Sequence, residues 1–312
     1  MIASSFIRRK RGTFLRVDKC MSFQTSIITA CTLLAFLTFA RAENDYKLGP
    51  LSQENPGVSH GKIIPMPNWE SKIYPGTKRD WWVYVPAQYD AAKPACLMVF
   101  QDGHDYVGLK GAWRVPTVFD NLIASGDMPV TIAVFINPGH DGSYEVKSPW
   151  RVSNRSSEYD TVNNTYSRML LEEILPQVQV QYKLTEDPAG WAIGGASSGA
   201  IAAFTVAWER PDKFHKVFST IGSFTNIRGG NVYPYLIRIT ERKPLRIFQQ
   251  DGKNDIDNQF GSWPLANEMM HASLKFMNYD CEFVQGDGKH DSKQGGSLFP
   301  DAMKWLWRGW KK

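Results

Sequence analysis

Residues 191–200 read W-A-I-G-G-A-S-S-G-A, an apolar run ending in the pentapeptide G-x-S-x-G. The pattern predicts a buried strand over 190–194, a sharp turn at Ser197 and a helix of small residues over 198–210. A serine on such a turn sits in strained backbone, with the residues two positions away crowded against it. Gly195 and Gly199 carry no Cβ, so the turn can close and the Ser197 hydroxyl can point out of the sheet. The pentapeptide alone recurs by chance in roughly one chain in ten of this length. Its strand–turn–helix setting is what makes Ser197 the candidate nucleophile.

A serine hydroxyl attacks poorly unless a base takes its proton, and neutral imidazole is the base suited to pH near 7. Downstream, residues 244–250 read as a strand followed by D-G-K-N-D-I-D-N, which holds Asp251, Asp255 and Asp257. Residues 280–285 read as another strand, followed by G-D-G-K-H-D-S with His290. Serine, acid, histidine is the chain order of an α/β-hydrolase triad. Asp255 is the expected acid because it lies far enough past its strand to turn back toward the serine. Asp251, at the strand end, is expected to cap the turn, and Asp257 is the reserve. His60 and His140 fall in polar or Gly/Pro segments, and His215 and His271 in regular elements where a structural role is commoner. His104 follows the apolar strand 94–101 and an Asp-Gly pair, where such folds place the second oxyanion donor. The expected donors are the backbone N–H groups of Ser198 and of Gly103 or His104. A plain Asp-Gly turn is the competing reading of that loop.

Around these motifs, strand patterns at 80–86, 131–136 and 217–221 alternate with helical patterns at 115–124, 166–182, 198–210, 264–277 and 301–310. The alternation predicts an α/β fold with a mostly parallel central sheet covered by helices on both faces. The 312 residues, 43% hydrophobic, suffice for one large domain, and no linker or repeat divides them.

The first 42 residues hold seven of the 36 Lys/Arg and one of the 31 Asp/Glu, so the rest of the chain carries 29 and 30. That balance gives no support for nucleic-acid or anionic-membrane binding. The leader has a basic start, an apolar stretch over 27–40 too short to span a bilayer comfortably, and small residues Ala40 and Ala42 before Glu43. It reads as a signal peptide over 1–42, with translation starting at Met1 or Met21, followed by an extended arm over 43–59 and a catalytic domain over 60–312. A secreted or periplasmic protein without membrane attachment after cleavage is the expectation. Lipoprotein and twin-arginine readings of the leader fit less well. Of four cysteines, only Cys96 and Cys281 lie beyond it, both in strand-like runs that favour free thiols. No metal-ligand or nucleotide-binding spacing occurs, and no cofactor is expected. Asn154 and Asn163 lie in N-glycosylation sequons, which matter only in a eukaryotic source.

From about Gly61 onward the chain resembles the esterase family of α/β-hydrolases that includes enterochelin, feruloyl and acetyl-xylan esterases and S-formylglutathione hydrolases. The resemblance rests on V-Y-V-P-A-Q-Y (83–89), M-V-F-Q-D-G (98–103), R-S-S-E-Y (155–159) and E-E-I-L-P (172–176). The elbow at 195–199, D-G-K-N-D (251–255) and G-D-G-K-H (286–290) complete it. It implies the roles already read from the residues: Ser197 as nucleophile, His290 as base, Asp255 as acid. Enterochelin esterases usually carry an additional N-terminal β-domain, where here only a short arm is expected. Arg155 and Glu158 are candidate substrate contacts, with a structural ion pair the commoner alternative. Trp150, in the long loop expected over 138–158, and Trp263, close after the acid loop, are candidate pocket-lining residues, with core burial the default.

The expected function is an exported serine carboxylesterase acting on acetyl or feruloyl esters of polysaccharides. A siderophore trilactone is the second candidate substrate, and an acyltransferase with the same triad is a further reading. A catalytically dead carbohydrate-binding relative is poorly supported by an intact triad.

Overall fold

The apolar runs pair into one eight-stranded sheet. In chain order its strands are β1 (Lys62–Pro65), β2 (Trp81–Val85), β3 (Cys96–Gln101), β4 (Thr131–Ile136), β5 (Trp191–Ala196), β6 (Lys216–Thr220), β7 (Arg246–Gly252) and β8 (Asp280–Gly286). Their spatial order is β1-β2-β4-β3-β5-β6-β7-β8. Only the β1–β2 and β2–β4 pairs are antiparallel. The structure, a computed structural model, describes residues 45–142 and 154–310.

Strands β3 and β4 are buried at every residue, which is why they read as continuous apolar runs and not as alternation. One face of the sheet packs on the helices Ser198–Glu209, Tyr233–Ile239 and Trp263–Phe276 and on the helical stretch 165–181. The other packs on Val115–Ser125 and Ser292–Trp307, where Phe100, Phe119, Phe135, Phe218 and Phe299 form a ring cluster. This is the doubly covered sheet of an α/β-hydrolase.

The helical stretch 165–181 contains a π-helical turn at Leu170–Ile174. Glu173 lies in that turn and accepts hydrogen bonds from Trp69 Nε1, Ser71 Oγ and the amides of Lys72 and Ile73. Burial opposes ionisation of Glu173, but these donors outweigh it and hold the carboxyl below its ordinary range.

Several elements differ from expectation, among them the helix Tyr233–Ile239, which no sequence pattern marked. The last helix begins at Ser292, not at 301, and runs through Pro300. Gly295, Gly296 and Pro300 look like breakers in the sequence. The glycines are there for packing: a Cβ on Gly295 would lie 2.6 Å from the Trp113 ring, and one on Gly296 2.4 Å from the Ala112 carbonyl oxygen. The segment Arg155–Tyr159, expected as loop, is a short helix.

The described part of the arm, 45–59, forms no strand and one 3₁₀ turn, Pro50–Ser52. It is tied down by Asn121 Nδ2, which donates to the carbonyls of Leu51 and Gln53. Among the described residues, no helix is long and apolar enough to cross a membrane. The leader and Trp150 lie outside the described residues.

Candidate active site

Strand β5 ends at Ala196, and Ser198–Glu209 starts two residues later, leaving Ser197 alone at the turn. Its φ of 58° and ψ of −124° are conformations that only glycine adopts without strain. The crowding is real. A Cβ on Gly195 would sit 2.5 Å from the backbone of Gly199, and one on Gly199 3.1 Å from Asp102 Oδ2. The turn is pinned by Ser197 N–H, which donates to Thr220 O at 3.0 Å.

The loops after β7 and β8 bring the acid and the histidine to this turn. His290 Nε2 lies 2.8 Å from Ser197 Oγ, and His290 Nδ1 lies 2.6 Å from Asp255 Oδ1. Asp255 Oδ1 also accepts from the amide of Ile256, so Nδ1 is the donor toward it. The Asp255 side chain is fully buried, while that of His290 remains 24% exposed. A hydroxyl, an imidazole and a carboxylate in line at these distances can pass a proton from the serine to the ring.

Asp251 does more than cap a turn. Its Oδ1 accepts from the Gly252 amide and its Oδ2 from Asn267 Nδ2. Burial first, and then the neighbouring Asp255 carboxyl, push its pKa up to about 9. The direction of this shift favours the neutral form of Asp251 beside Asp255. Asp257, the reserve, lies exposed in a two-residue strand paired with Gly261–Ser262.

Ser198 and Gly103 each open a helix, where the first amide has no intrahelical acceptor. The His104 amide differs, donating to Asn137 Oδ1 at 3.0 Å. Of the two alternatives for the second oxyanion donor, the His104 amide is thus already engaged. Gly103 itself is packed so closely on β4 that a Cβ would approach Phe135 and Ile136 backbone atoms to 2.5 Å.

Arg155 and Glu158 require correction as substrate contacts. Glu158 has no exposed side-chain surface and receives two hydrogen bonds from Arg79, at 2.8 and 3.1 Å. Arg155 grips Asp102 through Nε and Nη2 at 2.9 and 2.7 Å and lies over the Tyr159 ring. Both residues are committed to holding the segment beside the Asp102–Gly103 loop. Trp263 is 3% exposed, packs edge-on to His290 at 5.9 Å between centroids, and donates from Nε1 to Ser223 Oγ at 3.1 Å. It buttresses the histidine and is not an open pocket wall. Ser223 had no signal in the sequence, yet its Oγ lies 3.2 Å from Ser197 Oγ.

The sequence matches the family model named Esterase, described as "Putative esterase", over residues 73–288, more than half of its length. The chain belongs to this esterase family. It is similar to the iron(III) enterobactin esterase of Dickeya dadantii, with 24% identity over 288 residues, 83% of this chain and 60% of that protein. Among solved structures, the enterobactin esterase of Shigella flexneri superposes with a TM-score of 0.62 at 21% identity, covering 82% of this chain and 61% of the other. The ferulic acid esterase of the fungus Anaeromyces mucronatus superposes with a TM-score of 0.59 at 17% identity, covering 84% and 96%. The chain thus spans about 60% of the length of the enterobactin esterases it matches. At these identities the solved structures show a shared fold.

Proposed function

We propose that the chain is an exported serine carboxylic-ester hydrolase whose nucleophile, base and acid are Ser197, His290 and Asp255. The observation that carries this reading is the continuous hydrogen-bonded line from Ser197 Oγ through His290 to Asp255, set at a strained elbow. Ser197 Oγ attacks the ester carbonyl carbon while its proton passes to His290 Nε2. The amides of Ser198 and Gly103 receive the oxyanion, a donor pair of a kind worth about 10²–10³ in rate per donor. Collapse expels the alcohol, which takes the proton from His290. Water then attacks the acyl-enzyme with His290 as base, releasing the acid and restoring Ser197. Export rests on the basic and apolar leader.

Acetyl or feruloyl esters of polysaccharides are the proposed substrates. The reading draws support from ferulic acid esterases, two of which match this chain along 96% and 99% of their own length. A siderophore trilactone is the second reading, favoured by the similarity to the Dickeya dadantii enterobactin esterase.

The test is hydrolysis of p-nitrophenyl acetate by the protein from Glu43 onward, beside its Ser197→Ala variant matched by circular dichroism. The expected result is a loss of about a thousand-fold or more in kcat. Equal rates in the two proteins would refute the serine mechanism. Methyl ferulate, acetylated xylan and a cyclic trilactone then rank the substrates by kcat/KM.

A further inference from the structure

Two side chains reach Ser197 Oγ among the described residues: His290 Nε2 at 2.8 Å and Ser223 Oγ at 3.2 Å. The triad accounts for the first and leaves the second without a role. The backbone is built to bring Ser223 there. Strands β5 and β6 run parallel with Ala196 opposite Thr220, so Ser197 and Ile221 leave adjacent strand ends side by side. Both have positive φ, 58° and 44°. For a β-branched residue such as Ile221 that is a costly conformation, of the kind that concentrates at functional sites. It is held by Ile221 N–H, donating to Gln250 O at 2.7 Å, and by Ser223 N–H, donating to Ser197 O at 3.1 Å. The result is a residue only 1% exposed, its hydroxyl aimed at the candidate nucleophile.

The direction of each hydrogen bond follows by elimination. An indole N–H can only donate, so Ser223 Oγ accepts from Trp263. His290 Nδ1 donates to Asp255, which leaves Nε2 of the neutral ring an acceptor that takes the single Ser197 proton. The contact between the two serine oxygens must then be made by the proton of Ser223.

We propose that Ser223 is a further catalytic residue: its hydroxyl, oriented by the Trp263 indole, donates to Ser197 Oγ. That bond aims the Ser197 proton at His290 and shares the negative charge that develops on Oγ as the proton leaves. The inference rests on Ser197 being the nucleophile. During attack the Ser197 proton moves to His290 Nε2 and Oγ bonds to the acyl carbon, while Ser223 keeps its own proton. In deacylation the Oγ–acyl bond breaks, Oγ recovers a proton from His290, and the same donor steadies the departing oxygen. One line of donors thus runs from Trp263 through Ser223, Ser197 and His290 to Asp255, each bond polarising the next.

The deciding experiment is the second-order rate at which a fluorophosphonate labels Ser197, with peptide mapping of the labelled residue. In that reaction Oγ bonds to phosphorus, fluoride leaves and His290 takes the proton, so no substrate recognition is involved. Loss of one neutral hydrogen bond predicts labelling slowed about 5- to 20-fold in Ser223→Ala, with Ser223→Thr recovering most of the rate. Trp263→Phe, which keeps a ring against His290, is slowed less, and adds nothing further in the Ser223→Ala background. Labelling of Ser197 at an undiminished rate in Ser223→Ala, or fully additive losses in the double variant, overturns the role of Ser223 and leaves the nucleophile intact. Should Ser223→Ala not fold, an unchanged rate in Trp263→Phe overturns it instead. A parent protein labelled elsewhere, or not at all, overturns the nucleophile assignment and the role of Ser223 with it.

Discussion

Two clusters of buried charge flank the central strands, and they are built from similar parts. In one, Asp255 meets His290 at 2.6 Å. In the other, Glu158 meets Arg79 at 2.8 Å, with Asp102 and Arg155 paired nearby at 2.7 Å. The difference lies at their ends. The Arg79–Glu158 pair is sealed, and every bond returns to protein. The Asp255–His290 pair is closed on the acid side and opens on the other through a partly exposed ring to a strained serine. Buried charge that is closed on itself holds backbone in place, whereas buried charge with one open end is available for chemistry.

The sharpest way to break that contrast is to neutralise each acid in turn. Asp255→Asn is expected to lower kcat by about 10³–10⁴, because an amide no longer fixes the imidazole tautomer or stabilises the imidazolium. Its melting temperature should stay close to that of the parent, and differential scanning calorimetry beside ester hydrolysis tests both halves. Glu158→Ala should behave in the opposite way. It strands the Arg79 guanidinium and should cost about 3–5 kcal/mol in urea unfolding. The protein that remains folded should turn over substrate within a few-fold of the parent. A kcat loss as large as that of Asp255→Asn would place Glu158 in the chemistry after all.

The third and smallest effect concerns Asp251, which the contrast places on the closed side of the reactive cluster. Folded, it holds its proton up to about pH 9, while in the unfolded chain a carboxyl ionises near 4. Between those values the folded state binds more protons than the unfolded one, so stability falls as pH rises through that window. Asp251→Asn has no such proton to retain. Its melting temperature, followed from pH 5 to 8.5, should decline less steeply than that of the parent, by an amount below the limit of about 1.4 kcal/mol per pH unit. Parallel curves would mean that Asp251 is ionised in the folded protein.

What could be read from the chain follows the range of the interactions. The elbow was legible because its constraint is local: Gly195 and Gly199 answer to a turn five residues long. Asp255 was legible because it follows a strand whose burial shows as apolar sequence, and His290 because it follows an edge strand in which Cys281, Phe283 and Val284 still mark the pattern. Ser223 was not, since its position depends on the β5–β6 register and on a positive φ at an isoleucine, which no residue preference signals. Glu158 and Arg155 looked like site residues because their partners, Arg79 and Asp102, lie 79 and 53 residues away. The final helix was misread at its start because Gly295 and Gly296 serve contacts with the distant segment 112–113.

The sheet order also sets when the proposed triad can be complete. Strand β8 is one of the two edge strands, pairs only with β7, and is the last strand among the described residues. The loop that follows it delivers His290. During synthesis from the N-terminus, seven strands, the elbow and the acid loop can all be in place while the imidazole is still unmade. On the proposed assignment, a nascent or clipped chain ending before His290 keeps the serine and lacks its base, so the site closes only when the edge strand and the loop beyond it have been added.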